Sequence, residues 1–144
     1  MTIPSRDSIV KAAIHETGLS DFGDTWFFDN IDALIPSLNS QARLSEAGQY
    51  GAQQMIHSGL VNRLRHVDLV KRHPEILDEA VEVSAVLTGL PRTGSTMLHR
   101  MLAAPENMTA VRWYEAQTYS PLPDEQRGSP EPRRIVAKAI LDYM

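Results

Sequence analysis

Three features of this chain point to an α/β fold. In that fold a helical region leads into a strand, a tight loop and a helix. Val83, Ala85, Val86 and Leu87 form a short apolar, largely β-branched run that stops at Gly89. A buried strand of a parallel sheet has this appearance. After Gly94 the period changes, and Met97, Leu98, Met101 and Leu102 recur at helical spacing to make one apolar stripe. Ahead of both, residues 1–80 carry apolar positions at helical spacing, which sets them apart as a helical N-terminal region. Residues 81–144 then begin the α/β domain.

Taken in order, the first helix spans Ser5 to Glu16. Ser5 or Ser8 caps it, Ile9, Val10, Ala13 and Ile14 form its apolar face, and Gly18 ends it. A polar linker follows, and then a short helix capped by Asp24 or Thr25. It carries Trp26, Phe27, Phe28, Ile31, Leu34, Ile35 and Leu38. So dense an apolar cluster is either core or the wall of a lipophilic acceptor pocket.

A long helix is expected from Gln41 to about Lys71. Gly48, Gly51 and Gly59 mark close packing on another helix, or a break near Ser58-Gly59. Arg63, Arg65, His66, Lys71, Arg72 and His73 form a basic run. It is either a solvated face that complements the helix dipole or a patch that draws in an anion. His73-Pro74 ends the helix, because the residue before a proline avoids the α region.

Beyond the helix that follows Gly94, which stops before Pro105, Thr109 to Trp113 is a candidate second strand. Residues 121–132 are rich in proline and charge and read as a mobile loop. The last helix opens at Glu131 or Pro132.

Composition narrows the function classes. The 144 residues suffice for one modest core. A net charge of −4 gives no general attraction to nucleic acid. The absence of cysteine excludes disulfides and thiolate metal sites. No stretch approaches the ~20 apolar residues of a membrane span, and the N-terminus has no secretory pattern. The expected setting is cytoplasmic.

Chemistry concentrates between Gly89 and Thr96. A helix that starts near Gly94 presents unpaired N–H groups and the positive end of its dipole, which together make an anion site. Gly89 and Gly94 allow a tight turn and close approach. Thr93, Ser95 and Thr96 add hydroxyls, and Arg92 adds a planar cation suited to phosphate or sulfate. The spacing of Gly89 and Gly94 matches the nucleoside-triphosphate P-loop, but Ser95 stands where that loop carries Lys. The charge that would reach the β- and γ-phosphates is therefore missing, and a kinase or NTPase is the weaker reading.

The run Pro91-Arg92-Thr93-Gly94-Ser95-Thr96, with its strand before and helix after, resembles the 5′-phosphosulfate loop of the sulfotransferases, in particular their bacterial branch. The resemblance extends from Leu44 to Met144. It implies a P-loop-like parallel-sheet fold and an enzyme moving a sulfuryl group from 3′-phosphoadenosine 5′-phosphosulfate (PAPS) to an acceptor hydroxyl or amine, with no metal. It implies that Leu90, Pro91, Arg92, Thr93, Gly94, Ser95 and Thr96 hold PAPS, and that Arg92 acts in catalysis by neutralising charge on the bridging oxygen.

Glu115, at the end of the candidate second strand, resembles by order and spacing the position where several sulfotransferases place a catalytic glutamate or histidine. It is the base, a surface carboxylate or a partner of Arg112. His99 reads as a structural or partner-contacting residue rather than a base. The Arg and Ser that grip the 3′-phosphate in the family are not identifiable. Family members are much longer, and the chain stops inside a helix, so the expectation is an N-terminal fragment or truncated gene product. Its implied partners are a small-molecule acceptor and either a second copy or a downstream half of the same fold. The alternative function is a non-catalytic remnant, or a helical interaction module, that keeps the anion-binding loop.

Overall fold

In a computed structural model, residues 2–90, 92–123, 125–126 and 128–143 are described, the last without its side chain. They form two compact units, residues 1–76 and residues 77–144.

The first unit is built from three helices: α1 (Arg6–Thr17), α2 (Phe27–Ser40) and α3 (Glu46–Arg72). Ser5 precedes α1 in an extended conformation, and Gly18 closes it at φ +68°, where a side chain would be strained. The α3 helix is capped by Ser45, whose hydroxyl accepts from the Gly48 N–H at 3.2 Å. It runs without a break through Ser58 and Gly59. Helix α1 packs on α3 and touches α2. Their apolar faces make one core of Ile3, Ile9, Ala13, Phe22, Ile35, Ile56, Leu60, Val61 and Leu64.

Of the aromatic cluster, Phe27 and Phe28 belong to this packing, whereas Trp26 stays exposed. Phe27 and Phe28 stand 4.6 Å apart between ring centres, and Phe22 meets Phe28 edge-on at 5.4 Å. Asn39 ties down the N-terminal segment by accepting from the Ile3 N–H and donating to its carbonyl, at 2.9 and 3.0 Å. No helix among the described residues is long and apolar enough to cross a membrane.

A 3₁₀ turn, Pro74–Asp78, leads into the second unit, which holds α4 (Ser95–Leu102), α5 (Trp113–Gln117) and α6 (Glu131–Tyr143). Helix α5 packs on α6. Ala137, Thr118 and Ser120 are buried there. Arg133 reaches from α6 to Glu125, with its Nε donating to the carboxylate oxygens at 2.8 and 3.0 Å. It also donates to the Thr118 carbonyl at 3.3 Å. The guanidinium groups of Arg133 and Arg134 lie over the Tyr114 ring at 5.5 and 5.4 Å. The expected mobile loop 121–132 is therefore held at Glu125, whose side chain is only 4 % exposed.

The expected α/β sheet is overturned. No strand occurs among the described residues, which are helices, turns and irregular segments. The run Val83–Leu87 takes no regular structure, and its neighbours from His73 to Leu90 are exposed along their whole length. A strand exists only as a member of a ladder, because its N–H and C=O groups need a neighbouring backbone. An apolar run supplies the side chains of a strand but not that neighbour. The candidate second strand Thr109–Trp113 does not pair either. At Trp113 the backbone turns into α5, because Glu115 caps the new helix by accepting from the Arg112 N–H at 2.7 Å.

Candidate functional site

The loop before α4 is open in its local geometry. Gly94 is the N-cap of α4 and adopts φ +83°, in the left-handed region where glycine is unstrained. No side chain caps this helix. Among the described residues the first N–H groups of α4 therefore meet no intrahelical acceptor and no capping side chain, an arrangement that favours an anion. Leu90 and residues 92–96 are all exposed. The Thr93 hydroxyl donates to the Leu90 carbonyl at 2.8 Å and closes the loop on itself. Ser95 and Thr96 form the first turn of α4. Pro91 lies outside the described residues.

Arg92 holds an unexpected backbone conformation. Its φ is +67°, the left-handed region that non-glycine residues adopt at a cost of about 1–2 kcal/mol. Gly89, by contrast, has no positive φ. A Cβ added there would meet only the Thr93 hydroxyl, at an ordinary 3.7 Å. The sharp turning thus falls on Arg92 and Gly94. Among the described residues no carboxylate pairs with the Arg92 guanidinium.

Glu115 sits in the first turn of α5. One carboxylate oxygen accepts from the Arg112 N–H at 2.7 Å, and the other accepts from the Tyr114 hydroxyl at 3.1 Å. Its link to Arg112 is thus through the backbone. The second lone pair of each oxygen is left for a further donor.

A cleft of about 550 Å³ opens beside the loop, inside the same unit. One wall is the face of α4 carrying Thr96, His99 and Arg100, and the other is the segment with Thr109, Arg112 and Trp113. Thr96 is common to the loop and the cleft. Sequence reasoning passed over this wall because the apolar stripe of Met97, Leu98, Met101 and Leu102 dominates the helix. The signal lay in the complementary spacing of Thr96, His99, Arg100 and Ala103, one residue face of a helix.

The basic run splits into separate jobs. Arg63 donates from Nε to the Phe22 carbonyl at 2.8 Å and from a terminal nitrogen to the Asp24 carbonyl at 3.1 Å. Arg65 and His57 both face Glu16 on α1, at 3.4 and 3.6 Å. Lys71 pairs with Asp21, and Arg72 with Asp68 one turn earlier. The hydrogen bond from Lys71, seconded by the Gly23 N–H, holds the Asp21 carboxyl below the usual carboxylate range. Much of the basic run is therefore spent inside its own unit.

Comparison with known proteins places this architecture. No protein-family profile matches the chain, and no curated protein matches it. Among solved structures, it is similar to sulfotransferase STF1 from Mycobacterium tuberculosis, with a TM-score of 0.81 and 26% identity over 98% of this chain. It is also similar to sulfotransferase STF9 from Mycobacterium avium, with a TM-score of 0.73 and 23% identity over 96% of this chain. The chain spans 40% of the length of STF1 and 35% of that of STF9. Its fold is sulfotransferase-like.

Proposed function

We propose that this chain carries the donor loop of a PAPS-dependent sulfotransferase. The supporting observation is the uncapped N-terminus of α4 at Gly94, flanked by Thr93, Ser95, Thr96 and an Arg92 without a carboxylate partner. The likeness to STF1 raises the same reading from the fold side. PAPS supplies an activated sulfuryl group, released when its sulfur–oxygen bond to the phosphate breaks and the electron pair stays on that oxygen.

The residues present fit such a guest. Free N–H groups of residues 95–97 and the hydroxyls of Ser95 and Thr96 hold the 5′-phosphate. Arg92 neutralises the charge that grows on the bridging oxygen, the kind of preorganised stabilisation worth several kcal/mol in a site of this type. Glu115 takes the proton of the acceptor hydroxyl or amine as the new sulfur–oxygen or sulfur–nitrogen bond forms. Its hold on the Arg112 N–H and the Tyr114 hydroxyl fixes the carboxylate for that task. Turnover by the whole protein, and the identity of the acceptor, belong to this proposal too.

Calorimetric titration of the parent and Arg92→Ala with adenosine 3′,5′-bisphosphate and with PAPS tests it. The expected result is binding of both ligands by the parent, with PAPS weakened at least tenfold in the variant. Equal binding of PAPS by both proteins removes Arg92 from the site.

A further inference from the structure

Tyr114 joins α6 to the Glu115 carboxylate. Its hydroxyl donates to one carboxylate oxygen at 3.1 Å, while the other oxygen accepts from the Arg112 N–H at 2.7 Å. Its ring meets the guanidinium groups of Arg133 and Arg134, at 5.5 and 5.4 Å from the ring centre. A cation is drawn to the face of an aromatic ring by the negative potential there. Both contacts therefore hold the ring plane. The phenolic hydrogen lies in that plane by conjugation, so fixing the plane fixes the direction in which the hydroxyl donates.

Arg133 is itself held. Its Nε and a terminal nitrogen both reach the Glu125 carboxylate, and the side chains of both residues are largely buried. Its remaining nitrogen donates to the Thr118 carbonyl at 3.3 Å. A guanidinium gripped at several nitrogens has little rotational freedom. Arg134 is half-exposed and has exposed Glu131 at 3.7 Å. An unbroken line of contacts thus runs from Glu125 through Arg133 and the Tyr114 ring to Glu115.

A helix cap needs less than this. The Arg112 N–H alone satisfies the carboxylate as a cap. The last torsion of a glutamate is broad, and a hydroxyl on the second oxygen removes the freedom that the cap leaves. A group that must meet a proton in one place requires that second hold.

We propose that Tyr114, Arg133 and Arg134 are positioning residues for Glu115, with α6 aiming its remaining lone pairs through the Tyr114 ring. The proposal rests on Glu115 as the base in the donor-loop reading above; the grip itself rests on the contacts alone.

Exchange of the Arg112 N–H with solvent, followed by NMR on the full chain, reads how firmly the carboxylate is held and needs no turnover. Tyr114→Phe keeps the ring and its cations and removes only the hydroxyl. It should quicken this exchange about fivefold, the equivalent of one hydrogen bond. Arg134→Met strands only an exposed carboxylate and should quicken it about twofold. Arg133→Lys keeps the charge without the planar fork and should quicken it about threefold. Neither arginine change should add to Tyr114→Phe, because without the hydroxyl the ring no longer holds the carboxylate. The Thr118 N–H, which donates to the Tyr114 carbonyl at 3.0 Å, should keep its rate in Arg134→Met, which separates a loosened carboxylate from a frayed helix. Lys138→Met, whose partner is Asp142, is the control for lost charge on α6 and should change nothing.

Unchanged Arg112 exchange in Tyr114→Phe, or arginine effects that persist in full beside it, overturns the proposal. In sulfuryl transfer from PAPS with methanol as the probe hydroxyl, Tyr114→Phe should lower kcat about fivefold and leave the KM for PAPS unchanged. Loss of transfer in Glu115→Gln with full kcat in Tyr114→Phe overturns the positioning role and keeps the base. Exchange as expected, with full transfer by Glu115→Gln, removes the base reading instead and reduces the grip to support of the α5 cap.

Discussion

Arg63 holds Phe22 in place: its Nε donates to the Phe22 carbonyl at 2.8 Å across 41 positions of sequence. The same guanidinium donates to the Asp24 carbonyl and lies 5.3 Å over the Phe27 ring. One side chain thus fastens the turn between α1 and α2 to the middle of α3. That turn is tight. Gly23 sits at φ +66°, and a Cβ there would come within 3.2 Å of Val67. Arg63 therefore serves the fold, although it belongs to a run of charge that looks like a cofactor-attracting patch.

Arg63→Met should destabilise the first unit by about 2 kcal/mol, the worth of charge-assisted hydrogen bonds whose carbonyl partners are left unmet. Arg63→Lys should recover only part, because an ammonium cannot reproduce the planar fork. Thermal and urea unfolding measure this. The affinity for PAPS should not change in either variant, and a large loss of that affinity with unchanged stability would return Arg63 to the anion patch.

The loop predicts an asymmetry between its two glycines. Gly94 uses the left-handed region with open space around it, so Gly94→Ala meets no clash and costs only the backbone strain, about 1 kcal/mol. The strained cap should also be pushed away from its anion-binding form, lowering affinity for adenosine 3′,5′-bisphosphate. Gly89→Ala should be neutral in both respects, since Gly89 has no positive φ and its Cβ would make an ordinary contact. Paired unfolding and calorimetric titrations separate the two; equal effects would mean that the turn is not where the dihedrals put it.

The limits of sequence reading follow from what local pattern can and cannot encode. The ends of α1 are written in Ser5 and Gly18, residues chosen for their own backbone conformations. The turn before α4 is legible for the same reason, since Arg92 and Gly94, which carry its positive φ values, lie within one turn of chain. The Val83–Leu87 run is different. Its composition states a preference for a pleated, half-buried surface, but pairing is a property of two segments, and periodicity in one says nothing of the other. The Arg63 grip and the Glu125–Arg133 pair likewise join distant or loop residues and leave no spacing to detect. Glu115 is an intermediate case. Its place three residues after Arg112 is the capping-box offset, but arginine is not a residue that announces an N-cap, so the carboxylate reads from sequence as chemistry first.

Asp21 gives the first unit a pH dependence of known sign. Its carboxyl is held below the ordinary range, first by the hydrogen bond from Lys71 and then by the Gly23 N–H. A folded-state pKa below the unfolded one means that the charged form favours folding. That contribution is fully present above the unfolded value of about 3.9 and is lost as pH falls through the lower folded value. Asp21→Asn should therefore lower the thermal midpoint slightly at pH 7, and the gap from the parent should close in acid. Because the pair is solvent-exposed, the gap should also shrink in 1 M salt, on the order of ten times the ionic strength of an ordinary buffer. A gap that persists unchanged at pH 2 would assign the effect to something other than this charge.

Glu115 can be tested as cap and as base with one pair of substitutions. Its carboxylate accepts from the Arg112 N–H and from the Tyr114 hydroxyl. Glutamine keeps an oxygen for the N–H and suits the same helix position, whereas alanine keeps neither. Glu115→Ala should thus cost about 1 kcal/mol of stability through α5, and Glu115→Gln a few tenths. A base is a different requirement, because an amide cannot take a proton. If Glu115 deprotonates the acceptor, sulfuryl transfer from PAPS in the Gln variant should fall by about 10²–10⁴-fold while the fold stays intact. A Gln variant that transfers at the parent's rate would leave the residue as a cap alone, and the proton would then have to leave through another group at the Thr96 end of the cleft.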